Sequence, residues 1–160
     1  MTSGDELTGL VDRLQWDRRR NPYAGRRNYS QAAGRRLADR CARLIEAGQA
    51  GVAVPVLRKA VNRITTALMY IDDSSGRIGG DLHEIMNLYV QACCAAPSNP
   101  KTLAAWLVKL QCDGSGWPEI RLVEFAPALG ERGLAHLASL VEQTPRHRRR
   151  RVVDAAVRRT

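Results

Sequence analysis

The chain has 160 residues, of which 44% are apolar and 5% aromatic, and a formal net charge of +9. These values suit one folded domain with a core of Leu, Val, Ile and Ala, and they argue against a disordered chain. With so few aromatic residues, packed helices fit the composition better than a β-sandwich does. No segment is apolar over the ~18 residues that a membrane span needs, and the first residues lack a secretion signal, so we expect a cytoplasmic protein without membrane contact.

Two flanks carry the positive charge. Residues 17–43 hold nine Arg and two Asp, and residues 145–160 hold seven Arg and one Asp, whereas acids slightly outnumber bases elsewhere. Such asymmetry bears on partners and solubility rather than on the fold. The four cysteines, two of them adjacent, form no pattern typical of a secreted disulfide framework.

The first half of the chain predicts three amphipathic helices. Ser3–Glu6 has the capping-box pattern that opens a helix. Ser30 is expected to cap the second helix and Gly48 to end it, and the third should begin within Gly51–Val54 with Pro55 in its first turn. The inward residues expected from 3- and 4-residue spacing are Leu7, Leu10, Val11, Leu14, Ala33, Leu37, Cys41, Leu44, Ile45, Val54, Leu57, Val61, Ile64, Leu68 and Ile71.

The sequence DDSSGRIGG after the third helix predicts a polar structural turn. We expect Asp72 and Asp73 to accept hydrogen bonds from backbone N–H groups, and Gly76 to adopt the left-handed conformation. A calcium loop with Gly76 at its sixth place would need an acid at position 71 and a Glu at position 82. Those positions are Ile71 and Leu82, so the turn is the better interpretation.

The second half predicts four more helices, with Asn99 capping the fifth and Pro100 at its first position. A sixth is expected to open at Pro118 and to end or kink near Phe125, because Pro127 follows. Leu129-Gly130 should separate it from a last core helix. The expected inward residues of these four helices are Leu82, Ile85, Met86, Tyr89, Cys93, Leu103, Trp106, Leu107, Leu110, Ile120, Val123, Ala126, Leu134, Leu137, Ala138 and Val141.

These elements predict an all-α fold of about seven helices, arranged as stacked helical hairpins or an irregular bundle. No strand-like alternation and no repeat of fixed period is present. We expect three segments: 1–28, an N-terminal helix and a basic turn-rich stretch; 29–144, a helical-hairpin core domain; and 145–160, an Arg-rich tail.

Residue types that carry catalysis or bind metals are scattered. His83, His136 and His147 have no Cys at metal-ligand spacing, and the glycines of GRIGGD follow a helix rather than a strand, so they do not form a dinucleotide fingerprint. The sequence therefore predicts no catalytic residue, no metal site, no cofactor and no small-molecule substrate. We expect the protein not to be an enzyme.

The basic flanks suit contact with nucleic acid, because arginines there are interleaved with Trp16, Tyr23 and Tyr29. Cations bind phosphates, and aromatic rings stack on unpaired bases. The alternative is an Arg-rich surface that is simply solvated. The candidate nucleic-acid-contacting residues are Arg18, Arg19, Arg20, Arg26, Arg27, Arg148, Arg149, Arg150 and Arg151.

Three stretches resemble the helical region of bacterial, mostly actinobacterial, SWIM zinc-finger proteins. They are ALMYIDDSSGRIGGDL (67–82), LYVQACCAAPSNPKTLAAWLVKLQCDGSGWPE (88–119) and FAPALGERGLAHL (125–137). The resemblance spans Tyr29 to Glu142 and consists of turn and packing motifs. The C-x-C and C-x-H zinc ligands of that family have no counterpart in this chain. The resemblance implies a helical module that works beside a DNA- or protein-binding finger and with remodeller-type helicases.

The functional expectation is a non-catalytic helical interaction module, an accessory protein in a DNA-associated complex. Its expected partner is a protein, such as a SWIM-finger protein or a helicase. The alternative is a direct nucleic-acid-binding module that uses the Arg-rich flanks.

Overall fold

The computed structural model describes residues 3–14, 29–68, 73–112 and 122–145. Within these ranges the chain forms six α-helices and one 3-10 turn, with no strand. Their bounds are α1 Ser3–Asp12, α2 Gln31–Glu46, α3 Ala50–Leu68, α4 Arg77–Ala95, α5 Pro100–Cys112, the 3-10 turn Leu122–Phe125, and α6 Ala126–Gln143. The all-α prediction is confirmed, whereas the predicted number of seven helices is wrong for the described residues.

The chain divides into two compact units, residues 1–92 and residues 93–160. The three-segment organisation expected from the sequence stays a prediction, because residues 15–28 and 146–160 lie outside the described ranges. None of the helices in those ranges is both long and apolar enough to cross a bilayer.

In the first unit, α1 packs on α2 and α3, and α2 and α3 pack on each other. Their contact surfaces follow the predicted periodicity, and small side chains between the Leu and Ile residues allow the helices to approach closely. Each completely buried Leu or Ile contributes about 1.5–3 kcal/mol relative to its exposed state. The buried residues of the three helices and the segment between Asp12 and Gln31 include Leu7, Leu10, Val11, Leu14, Tyr29, Ala33, Leu37, Ala38, Cys41, Ala53, Val54, Leu57, Ala60, Val61 and Ile64.

Local capping determines the ends of α2. The hydroxyl oxygen of Ser30 accepts a hydrogen bond from the N–H of Ala33 at 3.2 Å, as the sequence predicts. At the other end Gly48 has φ 72°, and its N–H donates to the carbonyl of Ile45 at 3.0 Å. The N–H of Gln49 donates to the carbonyl of Leu44 at 2.8 Å, which completes a Schellman motif.

The turn that precedes α4 is built around one carboxylate. Asp73 accepts hydrogen bonds from the N–H groups of Ile78 at 3.0 Å and Gly79 at 2.8 Å. Gly76 has φ 67° and donates its N–H to the carbonyl of Asp73 at 2.8 Å. The negative carboxylate therefore satisfies two amides at the positive end of the helix. Asp72 lies outside the described residues.

Two prolines lie near the N-terminal ends of α-helices. α3 begins at Ala50, so Pro55 lies in its second turn rather than its first. Pro127 lies in the first turn of α6, directly after the 3-10 turn that ends at Phe125 as expected. Proline is tolerated in the first turn of a helix, because a backbone N–H at that position would have no intrahelical partner. Pro118, expected to open a sixth helix, is not among the described residues.

In the second unit, α5 and α6 pack against each other, and the 3-10 turn contacts α6. Asn99 caps α5, since its side-chain oxygen accepts from the N–H of Lys101 at 3.0 Å. α6 is kinked at Gly130, whose φ of 57° and ψ of −174° leave the helical region. At Gly133 a Cβ atom would come within 3.0 Å of Pro100, so this glycine permits the close approach of α5 and α6.

The turn before α4 generates a stability prediction. Gly76→Ala should lower the free energy of unfolding by about 1–2 kcal/mol, because an L-residue is disfavoured at positive φ even where its Cβ has space. A Cβ at Gly76 meets nothing within 4 Å, so any cost comes from the backbone. The measurement is urea denaturation followed by circular dichroism.

Gly80→Ala is the matched control. Gly80 lies in α4, and a Cβ there also meets nothing within 4 Å. Alanine should stabilise this position by up to about 1 kcal/mol. Equal urea midpoints for Gly76→Ala and Gly80→Ala would contradict the left-handed assignment of Gly76.

Candidate interaction surfaces

The last helix leaves an apolar stripe partly exposed. Four residues of α6, defined here as the apolar stripe, recur at intervals of 3, 4 and 7 and so lie on one face. They are Leu134, Leu137, Ala138 and Val141. The sequence predicts them to be core residues, and that prediction is wrong for Leu134 and Ala138. Leu134 is 43% exposed, Ala138 is exposed, and Leu137 and Val141 are half-buried.

The exposure of the apolar stripe depends on which part of α6 packs against the neighbouring helix. The completely buried residues of this helix are Ala128, Leu129 and Gly133, all within its first eight positions. Beyond them, the described part of the second unit supplies no element that buries the apolar stripe. Glu131 and Glu142, both exposed, lie along one edge of the stripe. α6 is thus an amphipathic helix with a half-covered apolar face and an acidic edge.

A second surface lies on α2, where every cation is an arginine. Its four arginines, Arg35, Arg36, Arg40 and Arg43, are all exposed. The opposite face of the helix contains Leu37 and Cys41, both completely buried. Burial of that face fixes the direction in which the arginines project. The sequence signal for this surface was the spacing of 36, 40 and 43, which places three arginines on one helical face.

Acids of α1 neutralise cations of α2 and α3. Arg40 Nη2 lies 2.9 Å from Glu6 Oε1. Asp12 Oδ1 lies 2.9 Å from Arg63 Nη2 and 3.5 Å from Lys59 Nζ. These pairs are partly exposed, so each contributes at most about 1 kcal/mol. They reduce the positive potential near both α2 and α3.

The described residues on either side of the basic segment 15–28 are in contact with each other. The N–H of Ser30 donates to the carbonyl of Arg13 at 3.0 Å. Arg18, Arg19, Arg20, Arg26 and Arg27 belong to this segment, and they lie outside the described residues, as do Arg148, Arg149, Arg150 and Arg151. Their contact with nucleic acid stays a prediction.

A buried phenol links the start of α2 to α4. The hydroxyl of Tyr29 donates a hydrogen bond to Asp81 Oδ2 at 3.2 Å, across 52 positions of sequence. Burial, together with the Asp81 charge, raises the pKa of Tyr29 well above its ordinary value. Burial also raises the pKa of Asp81, although the Tyr29 hydrogen bond and the charge of Arg35 oppose the rise. No sequence motif indicated this pair, because its members are far apart in the chain.

A second phenol is held by an arginine. Arg58 Nε donates to the hydroxyl oxygen of Tyr89 at 2.8 Å, and the guanidinium carbon lies 5.9 Å from the centre of the ring. Tyr89 is completely buried, so this contact satisfies its polar atom within the first unit.

Three cysteines, Cys41, Cys93 and Cys94, are buried or half-buried thiols. Cys41 and Cys93 are buried, and Cys94 is half-buried with its thiol 3.6 Å from the carbonyl of Glu124. Burial raises the pKa of the Cys41 thiol to about 11, so the thiolate needed for nucleophilic chemistry does not form near neutral pH. Within the ranges that the structure describes, no three His, Cys, Asp or Glu residues are grouped so that they could hold a metal ion.

Comparisons with protein-family models, with curated proteins and with solved structures found no match to this chain. The resemblance to SWIM zinc-finger proteins, and the partners it implies, therefore stay predictions. Function has to be argued from the apolar stripe of α6 and the arginines of α2.

The Tyr29–Asp81 contact generates a pH-dependent prediction. Tyr29→Phe should lower the free energy of unfolding at pH 7 by about 1–2 kcal/mol, because the half-buried carboxylate loses a donor. The raised pKa of Asp81 means that its protonated form is favoured in the folded state. The stabilisation of the folded state by protonated Asp81 is complete below about pH 4, which is the pKa of an Asp in the unfolded chain. It is lost as the pH rises. Tyr29→Phe removes a hydrogen-bond donor from the carboxylate and so raises the pKa of folded Asp81 further. The loss of unfolding free energy in this variant should therefore grow from pH 4 to pH 7.

Urea denaturation at several pH values between 4 and 7 measures this deficit. Tyr89→Phe is the control, because it removes the hydrogen bond from Arg58, whose charge does not change in that range. The Tyr89→Phe deficit should be independent of pH. A Tyr29→Phe deficit that is equally flat would contradict the role given to Asp81.

Proposed function

We propose that this protein is a non-catalytic helical interaction module, an accessory protein in a DNA-associated complex that binds a protein partner. The observation that carries the proposal is the apolar stripe of α6. Leu134 is 43% exposed in the middle of an otherwise amphipathic helix. Apolar residues at spacing i, i+3, i+4 and i+7 are the anchors by which helices bind other helices.

The chemistry of the apolar stripe indicates which kind of partner can bind it. An apolar face accepts an apolar face, and the exposed carboxylates of Glu131 and Glu142 favour basic residues at the edge of the partner. The partner that fits is an amphipathic helix with a basic rim. Basic helices are common among DNA-associated proteins. The sequence resemblance implies partners of that DNA-associated class, namely SWIM-finger proteins and helicases.

The test replaces exposed apolar residues of the stripe by acids. Leu134→Glu with Ala138→Glu should abolish capture of the partner, because two charges would be placed in a desolvated contact. Both positions are exposed, so the fold should be retained. The measurement is crosslinking in cells followed by affinity purification, with nuclease treatment to remove proteins held through DNA.

The matched control is Ala135→Glu with Ser139→Glu, which adds the same charge to exposed positions on another face of α6. The control should capture the same nuclease-resistant partner as the unmodified protein. If both double variants capture it equally, the stripe is not the binding surface. Capture that nuclease treatment abolishes for every variant would contradict a direct protein contact.

Direct nucleic-acid binding through the Arg-rich flanks is the second candidate function. The observation that favours it is the hydrogen bond from the Ser30 N–H to the Arg13 carbonyl, which brings together the described residues on either side of the first basic segment. Cations that come together in space bind a phosphate backbone more tightly than dispersed ones do. This candidate differs from a protein contact in its strong dependence on salt.

The salt test uses a labelled duplex and a labelled single strand. If six to ten phosphates are contacted, affinity should fall by about 10³-fold or more between about 50 mM and 200 mM salt. Replacing Arg148, Arg149, Arg150 and Arg151 by Gln should weaken binding without altering the helical circular dichroism spectrum. No binding by the unmodified protein at the lower salt concentration would contradict this candidate.

A further inference from the structure

We propose that α2 itself is a phosphate-binding surface, through which the protein contacts the backbone of nucleic acid without reading its sequence. The surface consists of Arg36, Arg40 and Arg43, called the arginine stripe below. The inference rests on the proposed association with DNA, and it assigns that contact to described residues rather than to the flanks.

Helix geometry aligns the three guanidinium groups. Steps of four and three residues keep the arginines on one side of α2, and at 1.5 Å per residue the stripe spans about 10 Å. A duplex carries one negative charge per about 1.7 Å of its axis, so this span matches a length of DNA that bears about six phosphates. Several charges can therefore be contacted together.

The helix presents the stripe from a fixed position. Leu37 and Cys41, on the opposite side of α2, are completely buried. The Ser30 cap and the Schellman motif at Gly48 define both ends of the helix. The arginines consequently need no backbone rearrangement before they bind, which reduces the entropic cost of association.

The chemistry of the arginine stripe suits anionic oxygen ligands, and its length suits the regularly spaced phosphates of a duplex. All cations of α2 are arginines, whose planar guanidinium groups donate paired hydrogen bonds to phosphate oxygens. Arg40 already contacts Glu6 at 2.9 Å, with both side chains about half exposed. Such a half-exposed ion pair is weak, so a phosphate can replace the carboxylate. Asp39 lies three residues after Arg36 and four before Arg43, and Glu46 lies three after Arg43, so both acids border the arginine stripe and reduce its net charge.

The experiment compares two neutralising double variants of the full chain. Arg36→Gln with Arg43→Gln removes two charges from α2, and Lys101→Gln with Lys109→Gln removes two from exposed positions of α5. The probe is a fluorescent duplex of random sequence, and anisotropy gives Kd across a series of salt concentrations. Thermal unfolding of each variant shows that the fold is retained.

The α2 variant should bind roughly tenfold or more weakly near physiological salt, and its log Kd against log salt slope should be less steep by about two. The loss should be equal for duplexes of different sequence. The α5 variant should bind like the unmodified protein. This combination supports the inference.

Other results overturn it. Unchanged binding by the α2 variant would assign DNA contact elsewhere, while the proposed association with DNA would stand. Equal losses in the α2 and α5 variants would indicate a general charge effect. Displacement of the duplex by polyglutamate at the same charge concentration would indicate a surface for acidic protein. If the unmodified protein binds no duplex, the inference fails, whereas α6-dependent capture of a protein would still support the proposed function.

Discussion

Packing of α1 on α2 and α3 is the constraint on which the first unit depends. Val11 of α1, Leu37 of α2 and Leu57 of α3 are almost completely inaccessible, so these faces of the three helices are the ones that pack together. That same contact places Glu6 and Asp12 of α1 next to cations of α2 and α3. Apolar packing thus determines which charges are neutralised and which remain exposed. The charge distribution of the surface is a consequence of how the core is assembled.

Most local features could be predicted from the sequence because they depend on neighbouring residues. Ser30 and Asn99 cap helices as expected, since a side chain that accepts an N–H two or three residues away needs no tertiary partner. Pro127 was expected to end or kink a helix near Phe125, and it follows the end of the 3-10 turn there while lying in the first turn of α6. Its missing N–H is compatible both with the first turn of a helix and with the end of the preceding one. Local sequence does not distinguish these two positions.

Features that depend on tertiary packing were harder to predict from the sequence. Periodicity shows that Leu134 and Val141 share a face of α6, but it does not show whether another element covers that face. In the described structure these residues are not buried. The pairing of Tyr29 with Asp81 joins residues 52 positions apart, and neither residue type carries a local signal for the other. The arginines of α2 were visible as a charge run, but their direction is determined by the buried face.

The Tyr29–Asp81 hydrogen bond also explains why α2 begins where it does. Tyr29 precedes the Ser30 cap, and its buried ring holds the chain at the point where the helix starts. A Cβ at Gly34, one turn into α2, would come 3.2 Å from Asp81 Oδ2, so a glycine there lets α2 approach the carboxylate. The start of α2 is therefore fixed by a cap, a phenol and a glycine together. Because helix rotation is determined by that start, these buried contacts also determine where Arg36, Arg40 and Arg43 project.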